Sequence, residues 1–180
     1  MQELVITAIG PDRPGLVGKL TAPLYEASAN VADSRMVNLR GQFAVILLAE
    51  VPEKNVDAIQ EKLLGLAEQL GLTLTFRGHQ AQEDKWPTTV GVPFKLRTYA
   101  MDQPGLVHRI TDLLQRYGIN VEELETRSQP RPETGAPLFS MDLLMTVPSG
   151  VQIKHVRKEL EMLCDELNCD VELLPATLSK

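Results

Sequence analysis

The chain has 180 residues, of which 43% are hydrophobic and 4% aromatic, and its formal net charge is −6 at pH 7. That length holds one medium domain or two small ones, with aliphatic side chains filling the core. The acidic balance argues against direct nucleic-acid binding, which draws its affinity from Lys and Arg on phosphates, and no apolar run reaches the roughly 18 residues of a membrane-spanning helix.

In chain order, Leu4 to Ile9 is an apolar run that reads as a first strand. It lacks a basic leader and is too short for a signal peptide, so a cytoplasmic protein is expected. Asp12-Arg13-Pro14-Gly15 opens a helical stripe of Leu16, Val17, Leu20 and Leu24. Pro14 suits the first helical turn, having a fixed φ and no N–H, and Pro23 is expected to kink the helix or end it early. A strand starts at Asn30, and a third runs from Phe43 to Ala49. The third is apolar on both faces, which predicts cover from the other half of the chain or from a second chain. A second helical stripe follows at Val56, Ile59, Leu63, Leu66 and Leu70, then a short strand from Leu72 to Phe76. Residues 79–91 are polar and aperiodic and read as a linker, with Trp86 expected to pack against a neighbouring domain.

The second half repeats the first. Asp12-Arg13-Pro14-Gly15-Leu16-Val17 returns 90 positions later as Asp102-Gln103-Pro104-Gly105-Leu106-Val107, and Asn30-Val31 returns as Asn120-Val121. Phe43 to Pro52 matches Phe139 to Pro148, and the second helical stripe returns at Ile153, Val156, Leu160, Leu163 and Leu167. Phe94, Leu96 and Thr98 alternate with Lys95, Arg97 and Tyr99, the period of a half-buried strand. Gly118 marks the end of the second copy's first helix, and Gln129 to Pro137 extends its middle connection as a hairpin loop. Each copy reads βαββαβ. The predicted fold is α+β, two ferredoxin-like units of four antiparallel strands with two helices on one face. The expected domains are 1–78 and 92–180, joined by 79–91.

The duplicated Asp-x-Pro-Gly-Leu carries the sharpest chemistry. A helix N-terminus offers unpaired backbone N–H groups and partial positive charge, which favour a carboxylate. Asp12 and Asp102 can accept from early amides or cap the turn. Gly15 and Gly105, lacking Cβ, let a ligand approach the backbone, although a plain strand-to-helix turn explains the motif equally well. Asn30 and Asn120 each lie 15 residues beyond the glycine. Their amides could serve an amino acid's ammonium and carboxylate, or simply tolerate a left-handed corner. Arg35 could hold a partner carboxylate but more simply pairs with a nearby acid.

These residues resemble the ACT domain. The stretch Leu4-Val5-Ile6-Thr7-Ala8-Ile9-Gly10-Pro11-Asp12-Arg13-Pro14-Gly15, with Asp33-Ser34-Arg35-Met36 and Thr126-Arg127-Ser128-Gln129-Pro130, more narrowly resembles the glycine cleavage system transcriptional repressor family. The resemblance implies a sensor of a small amino acid, glycine or a close relative. The ligand would lie at the first strand–helix turn, facing the second-strand edge of a neighbouring module. Carried over, the ligand-binding residues are Asp12, Pro14, Gly15, Leu16, Asn30 and Val31, and Asp102, Gly105, Leu106, Asn120 and Val121. The family further implies repression through a LysR-type activator protein that binds the DNA, and pairing of modules into a homo-oligomer. Copy two departs with Gln103 in place of Arg13, which makes equal binding by the two copies unexpected.

Enzymatic readings find little support. His79, His108 and His155 fit no zinc spacing, and no nucleophile elbow, P-loop or dinucleotide fingerprint is present. No metal, cofactor, membrane or direct nucleic-acid partner is expected. Cys164 and Cys169 read as reduced, partly buried thiols. Lys154, His155, Arg157 and Lys158 read as a solvated helix face. The expectation is a non-enzymatic regulator. A stand-alone amino-acid binder or the allosteric subunit of a metabolic enzyme is the alternative, and a small ferredoxin-like hydrolase a more distant one.

Overall fold

A computed structural model describes residues 1–79, 90–130 and 137–176. The chain divides into two compact units, within residues 1–86 and 87–180. The first comprises β1 (Gln2–Pro11), α1 (Leu16–Glu26), β2 (Asn30–Leu39), β3 (Gln42–Val51), α2 (Val56–Leu70) and β4 (Thr73–His79). The second comprises β5 (Gly91–Met101), α3 (Leu106–Arg116), β6 (Asn120–Pro130), β7 (Pro137–Pro148), α4 (Ile153–Glu166) and β8 (Cys169–Pro175). The sheets run β2-β3-β1-β4 and β6-β7-β5-β8, antiparallel throughout. This is the predicted ferredoxin-like arrangement, twice. The expected packing of Trp86 and the body of the second hairpin loop fall outside the described residues.

Alternation builds each core. Leu4, Ile6 and Ala8 of β1 and Phe43, Val45, Leu47 and Ala49 of β3 are buried beneath Leu16, Leu20 and Leu24 of α1 and Ile59 and Leu63 of α2. In the second unit Leu96, Met141, Leu143 and Met145 lie under Ile110, Leu114, Val156 and Leu160. Each fully buried aliphatic side chain contributes about 1.5–3 kcal/mol. Where β1 meets β4, Gly10 is crowded: a Cβ there would lie 2.6 Å from Leu72 Cδ2 and 2.8 Å from the Gly71 carbonyl oxygen. The second unit solves the same corner differently, with Ala100 opposite Cys169.

Several expectations need correction. The helices begin at Leu16 and Leu106, so Pro14 and Pro104 stand in the preceding turn and not in the first helical turn. Val17 is 48% exposed and does not belong to the core stripe. Pro23 does not end α1, which continues to Glu26 with Pro23 buried among its inward residues. The cover expected over the outer face of β3 lies beyond a single unit; within its own unit Ile46 there is 49% exposed beside its register neighbours Thr7 and Arg35, while Ala44 and Leu48 are half-buried. In the second unit that position is Asp142, which pairs with Arg97 Nε at 2.9 Å and Lys95 Nζ at 3.5 Å.

The first helix of each unit ends in the same hydrogen-bond pattern. Ser28 and Ala29 N–H donate to Tyr25 and Leu24 carbonyls, and Gly118 and Ile119 N–H to Gln115 and Leu114 carbonyls. Gly118 takes the left-handed conformation, φ 63°, as its position predicts; Ser28 adopts it at φ 55° despite its side chain.

Candidate functional site

The strand–helix turns are bare. Gly15 and Gly105 occupy the N-cap positions of α1 and α3 at φ 86° and 94°, a region that favours glycine. Among the described residues no side chain caps either helix, and neither first turn contains an acid. The first-turn amides therefore lack the carboxylate that a helix N-terminus favours. A Cβ at Gly15 or Gly105 would meet nothing within 4 Å, and residues 12–15 and 102–105 are exposed while Leu16 and Leu106 turn inward to the core. Leu16 and Leu106 thus anchor the helix and leave the approach to its amides open.

The two aspartates do not cap. Asp12 Oδ2 accepts from Asn38 Nδ2 at 2.5 Å, and Asp102 Oδ2 accepts from the Ser128 hydroxyl at 2.5 Å. Asp12 N–H donates to the Gly41 carbonyl at 2.8 Å and Asp102 N–H to the Pro137 carbonyl at 3.0 Å. Each aspartate therefore clasps its turn to the far end of the edge strand, β2 or β6. Asn38 and Ser128 were missed in the sequence because the two copies use different side chains. Their signal is spacing: each lies 26 residues after its aspartate.

Asn30 and Asn120 lie elsewhere. Asn30 pairs with Glu50 at one end of the sheet, and Leu39 pairs with Gln42 beside Pro11 at the other. At about 3.3 Å per residue, the length of β2 separates Asn30 from Asn38 by roughly 26 Å. One unit therefore does not bring Asn30 to its own Gly15, and the same registers apply to Asn120 and Gly105. Asn30 Nδ2 donates to Glu50 at 3.2 Å and Asn120 Nδ2 to Glu122 at 2.8 Å. Neither asparagine is the left-handed corner residue, a role taken by Ser28 and Gly118. Both edge strands carry the same register shift, after Val31 and after Val121.

The edge strands are otherwise open. Every residue of β2 is exposed, including Met36, Val37 and Leu39, and β6 is exposed beyond Val121. Val31 contributes to a groove of about 480 Å³ with Gly18, Thr21, Ala22 and Tyr25. A groove of about 590 Å³ between α3 and α4 is lined by Arg109, Arg116, His155, Lys158 and Met162. Arg35 follows the simple reading, its Nη1 pairing with Asp33 at 2.9 Å. No cluster of three metal-ligating side chains occurs among the described residues.

Sequence profiles of the ACT domain match residues 2–77 and 95–164. The chain belongs to the ACT-domain family. It holds two ACT domains in tandem, each in the βαββαβ form. It is 28% identical over 166 residues to the glycine cleavage system transcriptional repressor of Escherichia coli K12, covering 92% of this chain and 85% of that protein. A UPF0237 protein of Methanopyrus kandleri is 36% identical over 74 residues, 40% of this chain and 82% of that one, the span of a single ACT unit. Among solved structures, a protein of unknown function from Galdieria sulphuraria superposes with a TM-score of 0.83 at 29% identity, covering 98% of this chain and 99% of that one. The Escherichia coli relative, which spans both ACT units, is a regulator by name. No helix among the described residues is long and apolar enough to cross a membrane.

Proposed function

We propose that this tandem ACT protein is a cytoplasmic, non-enzymatic regulator that binds glycine or a similarly small amino acid. In this reading it represses the glycine cleavage system through a LysR-type DNA-binding activator. The observation that carries the binding reading is the uncapped helix opening behind Gly15 and Gly105, clear of side chains in both units. Those amides suit a carboxylate, and Asp12, Pro14 and Leu16, like Asp102 and Leu106, shape and anchor the turn. The similarity to the Escherichia coli repressor supports the regulatory half.

Asn30 and Asn120 enter through strand geometry. When two β2 edges pair antiparallel about a two-fold axis, the start of one lies against the end of the other. A second chain docked so would deliver its own Asn30 and Val31 to the Gly15 end of the first, supplying the amide that one unit lacks there. The same holds for Asn120 and Val121 beside Gly105. The open β2 and β6 edges suit that pairing.

Thermal-shift titration with the twenty amino acids tests the reading. Glycine or one close relative should raise the melting temperature, by an amount equivalent to about 1.4 kcal/mol at ten times Kd. Gly15→Leu with Gly105→Leu should abolish the rise. Gly71→Leu serves as a strain control, since Gly71 also has positive φ (68°) and open space around it. A rise that survives both replacements, or no rise with any amino acid, would sink the sensor reading.

A further inference from the structure

The helical faces of the two units differ in a way the ligand turns do not require. In the second unit the groove of about 590 Å³ is lined by Arg116 from α3 and by His155, Lys158, Glu159 and Met162 from α4. The helices of the first unit occupy the same places in the fold, so each lining residue has a counterpart there. Counterparts lie 90 positions earlier on the first helix, as Leu16 does from Leu106, and 97 earlier on the second, as Val56 does from Ile153. Their charges are reversed. Arg116, Lys158 and Glu159 stand where the first unit has Glu26, Glu61 and Lys62. Lys154, one turn before Lys158, stands where it has Asp57. Bulk is reversed as well, with His155 and Met162 in the places of Ala58 and Gly65. All of these residues are exposed, Met162 at 57%, and a Cβ at Gly65 would meet nothing within 4 Å.

Each face is braced by its own contacts. Lys62 of α2 pairs with Glu26 of α1, Glu159 of α4 accepts from the Tyr117 hydroxyl at 2.7 Å, and Arg116 pairs with Asp112 at 3.7 Å. A face laid on its own kind sets Arg116 against Arg116 and Lys158 against Lys158, or Glu26 against Glu26, and these contacts repel. The first face laid on the second, about a pseudo-two-fold axis along the groove, brings each charge to its opposite. Met162 then enters the space over Gly65, and His155 lies over Ala58. The position shared by Lys19 and Arg109 keeps one sign, and there Arg109 is neutralised by Glu166 at 3.1 Å. Single exposed ion pairs contribute little, so the hidden area supplies the affinity and the charges choose the partner face. Two helices of about 10 Å diameter over roughly 20 Å of length give each face about 400 Å². Two such contacts hide roughly 1,600 Å², the size of a stable protein–protein interface.

We propose that two copies of the chain associate through these faces, the α1–α2 face of each covering the α3–α4 face of the other. Both faces are exposed in the single chain. A foreign partner would match one face, whereas the chain itself carries both halves of the match. The pairing is reciprocal, so two chains satisfy both kinds of face and leave neither free. It is independent of amino-acid binding and of the open strand edges, because none of its residues lies at the Gly15 or Gly105 turn or on β2 or β6.

The experiment is analytical ultracentrifugation of the full chain without ligand, across the micromolar range and at several salt concentrations. Expected is a concentration-dependent dimer that weakens as salt rises. Glu61→Lys and Lys158→Glu, both at exposed positions, should each weaken it by roughly tenfold or more, with circular dichroism unchanged. Mixing the two variant chains should restore the dimer, since every contact at that position then joins an acid to a base. Gly65→Gln replaces a glycine inside α2 and should raise the melting temperature while weakening the dimer, opposite effects that a purely structural role does not produce. A chain that stays monomeric across the range would overturn the proposal. A dimer indifferent to all three replacements, or variant chains that fail to recombine on mixing, would overturn it equally.

Discussion

The corner between Gly10 and Leu72 offers a quantitative test of the packing. Adding a Cβ at Gly10 places it 2.6 Å from Leu72 Cδ2 and 2.8 Å from the Gly71 carbonyl oxygen, well inside the ~3.5 Å at which carbon contacts become favourable. Such overpacking costs about 1–3 kcal/mol, partly offset by the ~0.4–1 kcal/mol that Gly→Ala gains through the unfolded chain. Gly10→Ala should therefore destabilise the first unit by about 1–2 kcal/mol. Leu72→Cys alone leaves a cavity in a buried site and should cost about 2 kcal/mol. The second unit places the compatible pair, Ala100 and Cys169, at the same corner, so the double variant should recover about 1 kcal/mol relative to the sum of the singles. Two units need not unfold as one transition. Native-state hydrogen exchange at β1 and β4 amides, which reads local opening, is therefore the measurement of choice. A Gly10→Ala chain as protected as wild type, or a double variant additive within about 0.3 kcal/mol, would refute the steric account.

Three further outcomes follow from individual residues. Ser28→Gly, at a left-handed α1 terminus, should raise stability by about 0.5 kcal/mol, the relieved strain of ~1 kcal/mol exceeding the added unfolded-state freedom; a lower melting temperature would contradict this. Thr98→Val removes a buried hydroxyl that has no hydrogen-bond partner among the described residues and should stabilise the second unit by about 1 kcal/mol, read as slower native-state hydrogen exchange at β5 amides. Gln103→Ala deletes the bond to Leu167 and should weaken glycine binding to the second unit by up to about tenfold, the worth of one neutral hydrogen bond, as measured by calorimetry.

The fold was legible because both signals that specify it are local. Alternation in Phe139 to Val147 and the helical stripe of Leu106, Ile110, Leu113 and Leu114 each point to one face, and the repeat shows each pattern twice. The helix starts were displaced because Pro14 fits a turn as well as a first helical position, and only the positive φ of Gly15 separates them. The open turns followed from Asp-x-Pro-Gly. The clasp from Asp12 to Asn38 did not, since it depends on the register that places the end of β2 beside the end of β1. The separation of Asn30 from Gly15 has the same origin: sequence proximity along α1 hides that the helix carries the chain back to the opposite end of the sheet.

The two units share a frame but hold their turns differently. In the first, the turn is held by the Asp12–Asn38 bond and the Gly41 carbonyl. In the second, the Asp102–Ser128 bond and the Pro137 carbonyl do the same work, and Gln103 adds a third tie, to Leu167. A loop already fixed in its binding geometry loses less entropy when a ligand arrives, so the more heavily tied turn is the better organised of the two. Its extra tie ends on the segment between α4 and β8, whereas the first unit carries Arg13 at the position of Gln103. Duplication has thus yielded two turns on one frame, the second held by an additional side-chain bond to the α4–β8 corner.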